Sequence, residues 1–234
     1  MTSPPTVLFG VPFNRGSIEP EFVLSLIDTL FYLAKNGVSG NVLTQESALI
    51  SISRNKIVEK CNADYLMFVD TDMVFPPDLL IRLMFHNVDI VNALAFRRVP
   101  PHYPCIFKWD EKEKCYETMV YYGGLLEVDA TGMAACLIKT KVFKSLPKPW
   151  YYYRDHLFSS DLTFCENVRK AGFKVYVDTD LKIGHLGAEQ VIDEEFYLRY
   201  LKPEEREKWN KGMREFLQER AREKELWKRN ESPG

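Results

Sequence analysis

Short apolar runs alternate with amphipathic stretches along most of this sequence. Val7–Val11, Tyr65–Val69 and Asp89–Leu94 have the length and the apolar character of strands. Between the first two lie Glu21–Asn36, which repeats apolar residues at helical spacing, and Ser47–Cys61, a second helix candidate. A wholly apolar strand is typical of a parallel sheet that is buried on both faces, and strand–helix alternation indicates βαβ units. The pattern predicts one Rossmann-like α/β domain, with a mostly parallel central sheet and helices on both faces.

The chain changes character near its C-terminal end. Its 234 residues suffice for one large domain with a tail. Residues 1–200 carry the α/β pattern, with further helices predicted over Pro77–Phe85 and Leu162–Ala171 and a further strand over Phe173–Val177. Residues 203–230 are highly charged and begin with Pro203, which favours one long helix with a narrow apolar stripe. We expect this helix to pack on its own domain or on a neighbouring subunit, in which case it would support a homo-oligomer.

Composition disfavours several classes of protein. Lys and Arg total 31 and Asp and Glu total 33, and this net charge of −2 argues against a nucleic-acid partner. No apolar run approaches the roughly 20 residues of a membrane span, so we expect no transmembrane segment and no signal peptide. The 5 cysteines form no CxxC pair and are odd in number, which predicts neither a disulfide framework nor a zinc knuckle. A reducing cytoplasm fits these features best.

The strongest chemical signal is a pair of acids that directly follows an apolar strand. Asp70 and Asp72 flank Thr71, and in an extended chain residues two apart point to the same side. Two carboxylates together could bind a hard divalent cation, which would in turn neutralise a diphosphate. The alternative is a pair of solvated loop acids that precede the helix near Pro77.

Two weaker signals follow along the chain. Ser159 or Ser160 can cap a helix whose first turn holds Asp161, which is either a general base or an acid stabilised by the helix dipole. His185 stands between Gly184 and Gly187, where the backbone can approach a ligand closely, although a lone histidine is more often structural.

Taken in order, these motifs resemble those of GT-A glycosyltransferases, in particular the family-2-like group. The resemblance covers roughly residues 5–190 and rests on the following pieces: Val7–Asn14, Ser53-Arg54-Asn55, Asp70-Thr71-Asp72, Asp129–Lys139, Ser160-Asp161, Arg169–Val175 and His185. The sequence departs from the family pattern in two ways. Ser160 stands where the family often has Glu, so we expect Asp161 to be the only acid of this motif. The larger C-terminal domains that some members carry have no counterpart here.

The resemblance implies transfer of a sugar from a nucleotide-diphosphate donor, a UDP- or GDP-sugar, with Mn²⁺ or Mg²⁺ as cofactor. Asp72 would bind the metal directly, Asp70 would bind it through water or contact the ribose, and His185 would be a third ligand. A nitrogen ligand favours Mn²⁺ over Mg²⁺. The donor site would be formed by Val11, Pro12, Phe13, Asn14, Arg15, Arg54, Asp70, Thr71 and Asp72.

The acceptor would be a hydroxyl group of a carbohydrate, a lipid or a protein. By resemblance, Asp161 is the general base if the enzyme inverts, and otherwise it positions the acceptor. Gly132, Trp150, Tyr152, Ser160 and Arg97 complete the predicted acceptor and sugar site. The aromatic rings could equally cover the core edge, and Arg97 with Arg98 could equally form an exposed basic pair instead of contacting phosphate.

Two other functions remain open at this point. A sugar-phosphate nucleotidyltransferase would need a glycine-rich phosphate loop, and the segment Phe9–Gly16 has only Gly10 and Gly16. A non-catalytic nucleotide- or glycan-binding module could share the same fold.

Overall fold

The computed structural model describes residues 5–14, 18–154, 158–187 and 191–230, with side chains described as far as residue 222. Over these residues the strands, in chain order, are β1 Val7–Phe13, β2 Gly40–Glu46, β3 Tyr65–Val69, β4 Met73–Val74, β5 Ile90–Leu94, β6 Ile106–Asp110, β7 Cys115–Thr118, β8 Leu125–Val128, β9 Ala130–Thr131, β10 Ala135–Lys139, β11 Val175–Lys182, β12 Gly184–Leu186 and β13 Val191–Ile192. The helices are α1 Pro20–Lys35, α2 Ile50–Lys60, α3 Leu79–Phe85, α4 Lys141–Lys144, α5 Ser160–Lys170, α6 Glu194–Tyr200 and α7 Pro203–Asn230.

The central sheet confirms the predicted fold class. Its 7 strands run in the order β2-β1-β3-β10-β5-β11-β8. Strands β2, β1, β3, β5 and β11 point one way, whereas β10 and β8 run antiparallel to their neighbours. Two 3-stranded sheets flank it, β13-β12-β4 and β7-β6-β9.

Side chains of the buried strands alternate between two apolar cores, one on each face of the sheet. In β3, Leu66 and Phe68 belong to the core that includes residues of α2, α4 and α5. Met67 and Val69 belong to the other core, with residues of α1 and α3. Because successive strand residues point to opposite faces, this division places helices on both faces, as predicted.

Gly10 allows α2 to lie close to the sheet. A Cβ at this position of β1 would lie 2.7 Å from Ile57 Cγ2 and 3.1 Å from Leu66 Cδ1, closer than side-chain carbons pack. Ile57 lies on the same helical face as Arg54, three residues earlier. The absence of a side chain at Gly10 therefore allows Arg54 to lie close to the sheet.

The C-terminal helix α7 packs on the α/β part of the chain. Gly212 is buried against the ring of Tyr122. Phe216 lies against Gly123, and Arg220 Nη1 is 3.5 Å from Asp180 Oδ2. This contact agrees with the first of the two packing alternatives expected for the helix. In the part of the chain that the structure describes, no helix is long and apolar enough to cross a bilayer.

The docking of α7 predicts an unusual response to a substitution that normally favours helices. We expect Gly212→Ala to lower the free energy of unfolding, although alanine favours a helix over glycine by about 1 kcal/mol. The reason is that the new Cβ would lie 2.1 Å from Tyr122 Cε1. In a Tyr122→Ala background the same change should raise stability. Urea denaturation of the four proteins measures this coupling. A stabilising Gly212→Ala in both backgrounds would mean that α7 does not dock at Tyr122.

Candidate active site

The polar residues predicted to be functional meet at the carboxyl edge of the central sheet. Strand β3 ends at Val69, which pairs with Ala135 at the start of the antiparallel strand β10. The next step of this ladder is a hydrogen bond of 3.0 Å from the Asp70 amide to the Ala134 carbonyl oxygen. The reversed direction of β10 therefore brings the Gly132–Ala134 segment to the two acids that follow β3.

Arg54 is the buried centre of this edge. Its side chain is 3% exposed, and Nη2 donates to Asp70 Oδ1 at 2.9 Å. Nη1 donates to Asp161 Oδ1, at the start of α5. The guanidinium carbon lies 5.9 Å from the Phe68 ring centroid and 5.8 Å from that of Tyr151. One cation from α2 thus joins two acids that are far apart in the sequence.

The charges of this cluster shift one another's proton affinities. Burial disfavours the charge on Arg54, but Asp161 and Asp70 outweigh this effect and raise the pKa of the guanidinium. For Asp70, burial raises the pKa of the carboxyl to about 6, with Arg54 opposing the shift and the neighbouring acids adding to it. The Asp70 side chain is 31% exposed, so solvent relieves part of that desolvation.

Asp161 is held by local helix chemistry as well as by Arg54. Ser159 caps α5, with its hydroxyl accepting from the Leu162 amide. The buried Ser160 hydroxyl donates to Asp161 Oδ1 at 3.2 Å. The other oxygen, Oδ2, accepts only a long hydrogen bond of 3.3 Å from the Met133 amide among the contacts described. Oδ2 is therefore the oxygen of Asp161 that faces the Gly132 segment.

Asp72 has different partners from Asp70. Its Oδ2 lies 3.2 Å from His185 Nε2 and 3.3 Å from Arg98 Nη1. Burial alone would raise the pKa of Asp72, but His185 and Arg98 more than offset it, so the pKa is below its usual value. Strand β12 brings His185 opposite Met73 of β4, which directly follows Asp72.

The hydrogen bonds of His185 define its tautomer. Nδ1 lies 2.8 Å from the Phe96 carbonyl oxygen, which can only accept, so Nδ1 carries a proton. In a neutral ring Nε2 would then present a lone pair toward Asp72 Oδ2. Two acceptors do not attract, so this contact requires either a proton on the imidazole or a cation between the two groups.

A cleft of about 290 Å³ opens beside these residues. Its walls are formed by Pro12, Phe13, Asn14, Glu19, Ile50, Asp70, Thr71, Asp72 and Arg98. Most of the predicted donor-site residues therefore surround one space. Val11 and Arg54 are exceptions, because both side chains are buried and neither lines the cleft. Arg15 lies outside the described residues.

The predicted acceptor residues are placed less uniformly. Gly132 borders the site, and a Cβ there would meet nothing closer than Cys105 Cβ at 3.9 Å. Trp150 is 8% exposed, and its indole donates to the Phe143 carbonyl oxygen. Tyr152 accepts a hydrogen bond of 3.3 Å from Asn167. Trp150 thus follows the core-edge alternative, because a buried ring cannot stack on a sugar.

The adjacent residues Arg97 and Arg98 lie in different surroundings. Arg98 lines the cleft beside Asp72. Arg97 is exposed, with its guanidinium carbon 5.5 Å from the Phe107 ring centroid, and it does not line the cleft. Of the pair, Arg98 is the one that borders the cleft.

Two asparagines support the site: buried Asn92, which the sequence analysis missed, and half-buried Asn55 of the Ser53-Arg54-Asn55 motif. Asn92 donates to Thr131 Oγ1 at 3.0 Å and to the Gly132 carbonyl oxygen, and it accepts from the Ala135 amide. Asn55 accepts from the amides of Trp150 and Tyr151. A polar residue inside the apolar strand Ile90–Leu94 was the available signal for Asn92.

The predicted metal ligands do not form one cluster. Asp72 and His185 meet, whereas the Asp70 carboxylate is engaged by Arg54. Among the residues whose positions are described, no group of three or more His, Cys, Asp or Glu side chains is arranged to hold a metal ion.

Comparisons with known proteins bear on the fold. No protein-family model and no curated protein matches the sequence. The chain is similar to A197 from STIV, with a TM-score of 0.56 and 20% identity over 82% of this chain and 91% of that one. It is also similar to the catalytic domain of Drosophila beta1,4galactosyltransferase 7, solved in complex with xylobiose, with a TM-score of 0.49 and 17% identity over 76% of this chain and 66% of that one. Sequence identities this low show a shared fold and nothing about function. The similarity to A197 therefore shows that the two proteins share an α/β fold.

Arg54 and Arg98 provide a matched test of the cluster, since each pairs with acids of the site. We expect Arg54→Met to lower the free energy of unfolding by about 3–5 kcal/mol, because two carboxylates lose a buried partner. Arg98→Met should cost at most about 1 kcal/mol, because its side chain is 55% exposed. Adding Asp70→Asn and Asp161→Asn to Arg54→Met should recover part of the loss. Chemical denaturation measures all four proteins, and equal effects of the two arginine variants would contradict the assignment.

Proposed function

We propose that the protein is a metal-dependent glycosyltransferase that moves a sugar from a nucleotide-diphosphate donor, a UDP- or GDP-sugar, to a hydroxyl acceptor. The observation that carries the proposal is the shared contact of Asp70 and Asp161 with buried Arg54, next to the cleft that Asp70 lines. Three sequence motifs that resemble GT-A motifs thereby meet in one place. The 5 free cysteines are compatible with the cytoplasmic location that we also propose.

The donor would occupy the cleft at the ends of β1 and β3. Pro12, Phe13 and Asn14 would face the base and ribose, and Thr71 lines the same cleft. Arg98 supplies a cation for the diphosphate. In open α/β sheets, ligands bind outside the carboxyl ends of the strands, which is where this cleft lies.

The residues present fit a divalent cation, Mn²⁺ or Mg²⁺. Asp72 and His185 would hold it, because the Nδ1 proton of His185 is used by Phe96 and Nε2 faces a carboxylate oxygen. The nitrogen ligand favours Mn²⁺. When bound, the cation would neutralise charge on the diphosphate leaving group. Asp70 lines the same cleft and would reach the cation through water or bind the ribose.

Asp161 would activate the acceptor in an inverting reaction. Oδ2 would take the proton of the acceptor hydroxyl as its oxygen forms a bond to the anomeric carbon of the sugar. The bond from that carbon to the diphosphate oxygen breaks, and its electron pair leaves with the nucleoside diphosphate. Gly132 borders this space with no side chain, so it leaves room for the transferred sugar. Ser160 and Arg54 hold the other carboxylate oxygen and orient the base.

The release of nucleoside diphosphate from UDP- and GDP-sugars tests the proposal. We expect release that depends on Mn²⁺ or Mg²⁺, is abolished by EDTA, and is lost in Asp72→Ala and His185→Ala. Asp28→Ala, an exposed acid on α1, is the matched control and should behave as wild type. Nucleotide binding without any release would indicate a binding module. Formation of pyrophosphate from a sugar phosphate and a nucleoside triphosphate would indicate a nucleotidyltransferase.

A second substitution separates the chemical step from donor binding. Asp161→Asn should reduce transfer by roughly 100- to 10,000-fold, because the amide cannot take the acceptor proton. It should leave the thermal shift produced by the nucleoside diphosphate and Mn²⁺ unchanged, because Asp161 lies outside the cleft that the nucleotide fills. Transfer by Asp161→Asn at the wild-type rate would exclude the base role.

A further inference from the structure

A second cavity, of about 390 Å³, lies away from the cleft. Its walls come from the β6–β7 hairpin, the end of β8, the last turns of α5 and the turn into β11. The volume falls within the range of about 300–1,000 Å³ that is usual for small-molecule sites. The two cavities share no lining residue. The second cavity is therefore a separate space from the cleft.

Helix α5 connects the two regions and sets their separation. Asp161 lies in its first turn, and Arg169, which lines the second cavity, lies eight residues later. At 1.5 Å per residue this is about 12 Å along the helix axis. A ligand in the second cavity would thus not occupy the space beside Asp161.

Aromatic rings form one wall of the cavity. Trp109 and Tyr116 are both half-buried, with ring centroids 5.0 Å apart and an interplanar angle of 66°. Phe158, which does not line the cavity, packs on both rings, with its centroid 6.1 Å from that of Trp109 and 5.9 Å from that of Tyr116. Because these rings pack against one another and are only partly exposed, they form a preformed apolar surface. Their side chains would lose little conformational entropy on binding a ligand.

Paired charges form another wall of the cavity. Arg169 Nη2 lies 3.0 Å from Asp129 Oδ1, Lys174 Nζ lies 2.8 Å from Glu127 Oε2, and Lys170 Nζ lies 2.6 Å from Glu166 Oε1. Asp129 Oδ2 also accepts from the Trp109 amide at 2.9 Å. Each cation of this wall already has a carboxylate beside it. An anionic ligand would have to displace a carboxylate, and a cationic one a Lys or Arg.

A neutral ligand with many hydroxyl groups matches both walls. Hydroxyls both donate and accept, so they can add to carboxylates and ammonium groups without breaking the ion pairs. The C–H face of a sugar ring can pack on an aromatic ring such as that of Trp109. We propose that this cavity is a second saccharide-binding site, which takes a neutral oligosaccharide and is separate from the proposed transfer site.

Titration of the ¹⁵N-labelled protein with neutral trisaccharides tests the proposal without any donor or metal. The probes are maltotriose, cellotriose, xylotriose and N,N′,N″-triacetylchitotriose. We expect at least one to shift the Trp109 indole resonance saturably, while the Trp209 indole on α7 stays unchanged. The two resonances are assigned with Trp109→Phe and Trp209→Phe.

Two variants test whether the cavity residues themselves bind the saccharide. Trp109→Ala should weaken binding of that trisaccharide at least tenfold. Glu127→Ala, at a rim position that is 52% exposed, should weaken it several-fold without risk to folding. No saturable shift at Trp109 with any of the four probes would overturn the proposal, as would undiminished binding by both variants. Failure here leaves nucleoside diphosphate release unaffected, so the two proposals can fail separately.

Discussion

The buried guanidinium of Arg54 constrains the rest of the site. An unpaired cation in an apolar interior is costly, so the side chain requires carboxylates within reach. Asp70 and Asp161 supply them, while Phe68 and Tyr151 flank the group. These contacts tie α2, the end of β3 and the start of α5 to one point. The position of the proposed base is thus coupled to the folding of the core beneath it.

This coupling gives the two acids of the Asp70-Thr71-Asp72 motif different tasks. Asp70 is turned inward to Arg54 and serves the structure as well as the cleft wall. Asp72 faces His185 and Arg98, in surroundings that keep its pKa low and leave its oxygen directed toward the cleft. Asp72 thus stays ionised at the cleft, whereas the charge of Asp70 neutralises a buried arginine.

Helix α5 links the proposed transfer site to the second cavity. Its first turn presents Asp161 beside the Gly132 segment, and its last turns present Lys170 and Arg169 to the aromatic wall. The segment between β8 and β10 follows the same course, from Asp129 in the second cavity to Met133 beside Asp161. A rigid helix would hold the two proposed ligand positions at a set distance, so binding in one need not disturb the chemistry proposed in the other.

Local patterns in the sequence determined the main elements, the fold class and the motif acids. Strand Tyr65–Val69 has the bounds predicted from its apolar run, and the helix predicted over Glu21–Asn36 is Pro20–Lys35. Edge strand β2 was not predicted because its mostly exposed residues lack a buried pattern. The reversed direction of β10 escaped prediction as well, because buried parallel and antiparallel strands have the same apolar composition. Only the tertiary structure decided that Arg54 pairs with two acids, that Arg98 rather than Arg97 reaches the cleft, and that Trp150 is buried. These outcomes depend on how elements that are distant in the sequence are oriented to one another. Hydrophobic periodicity along the chain does not determine that orientation.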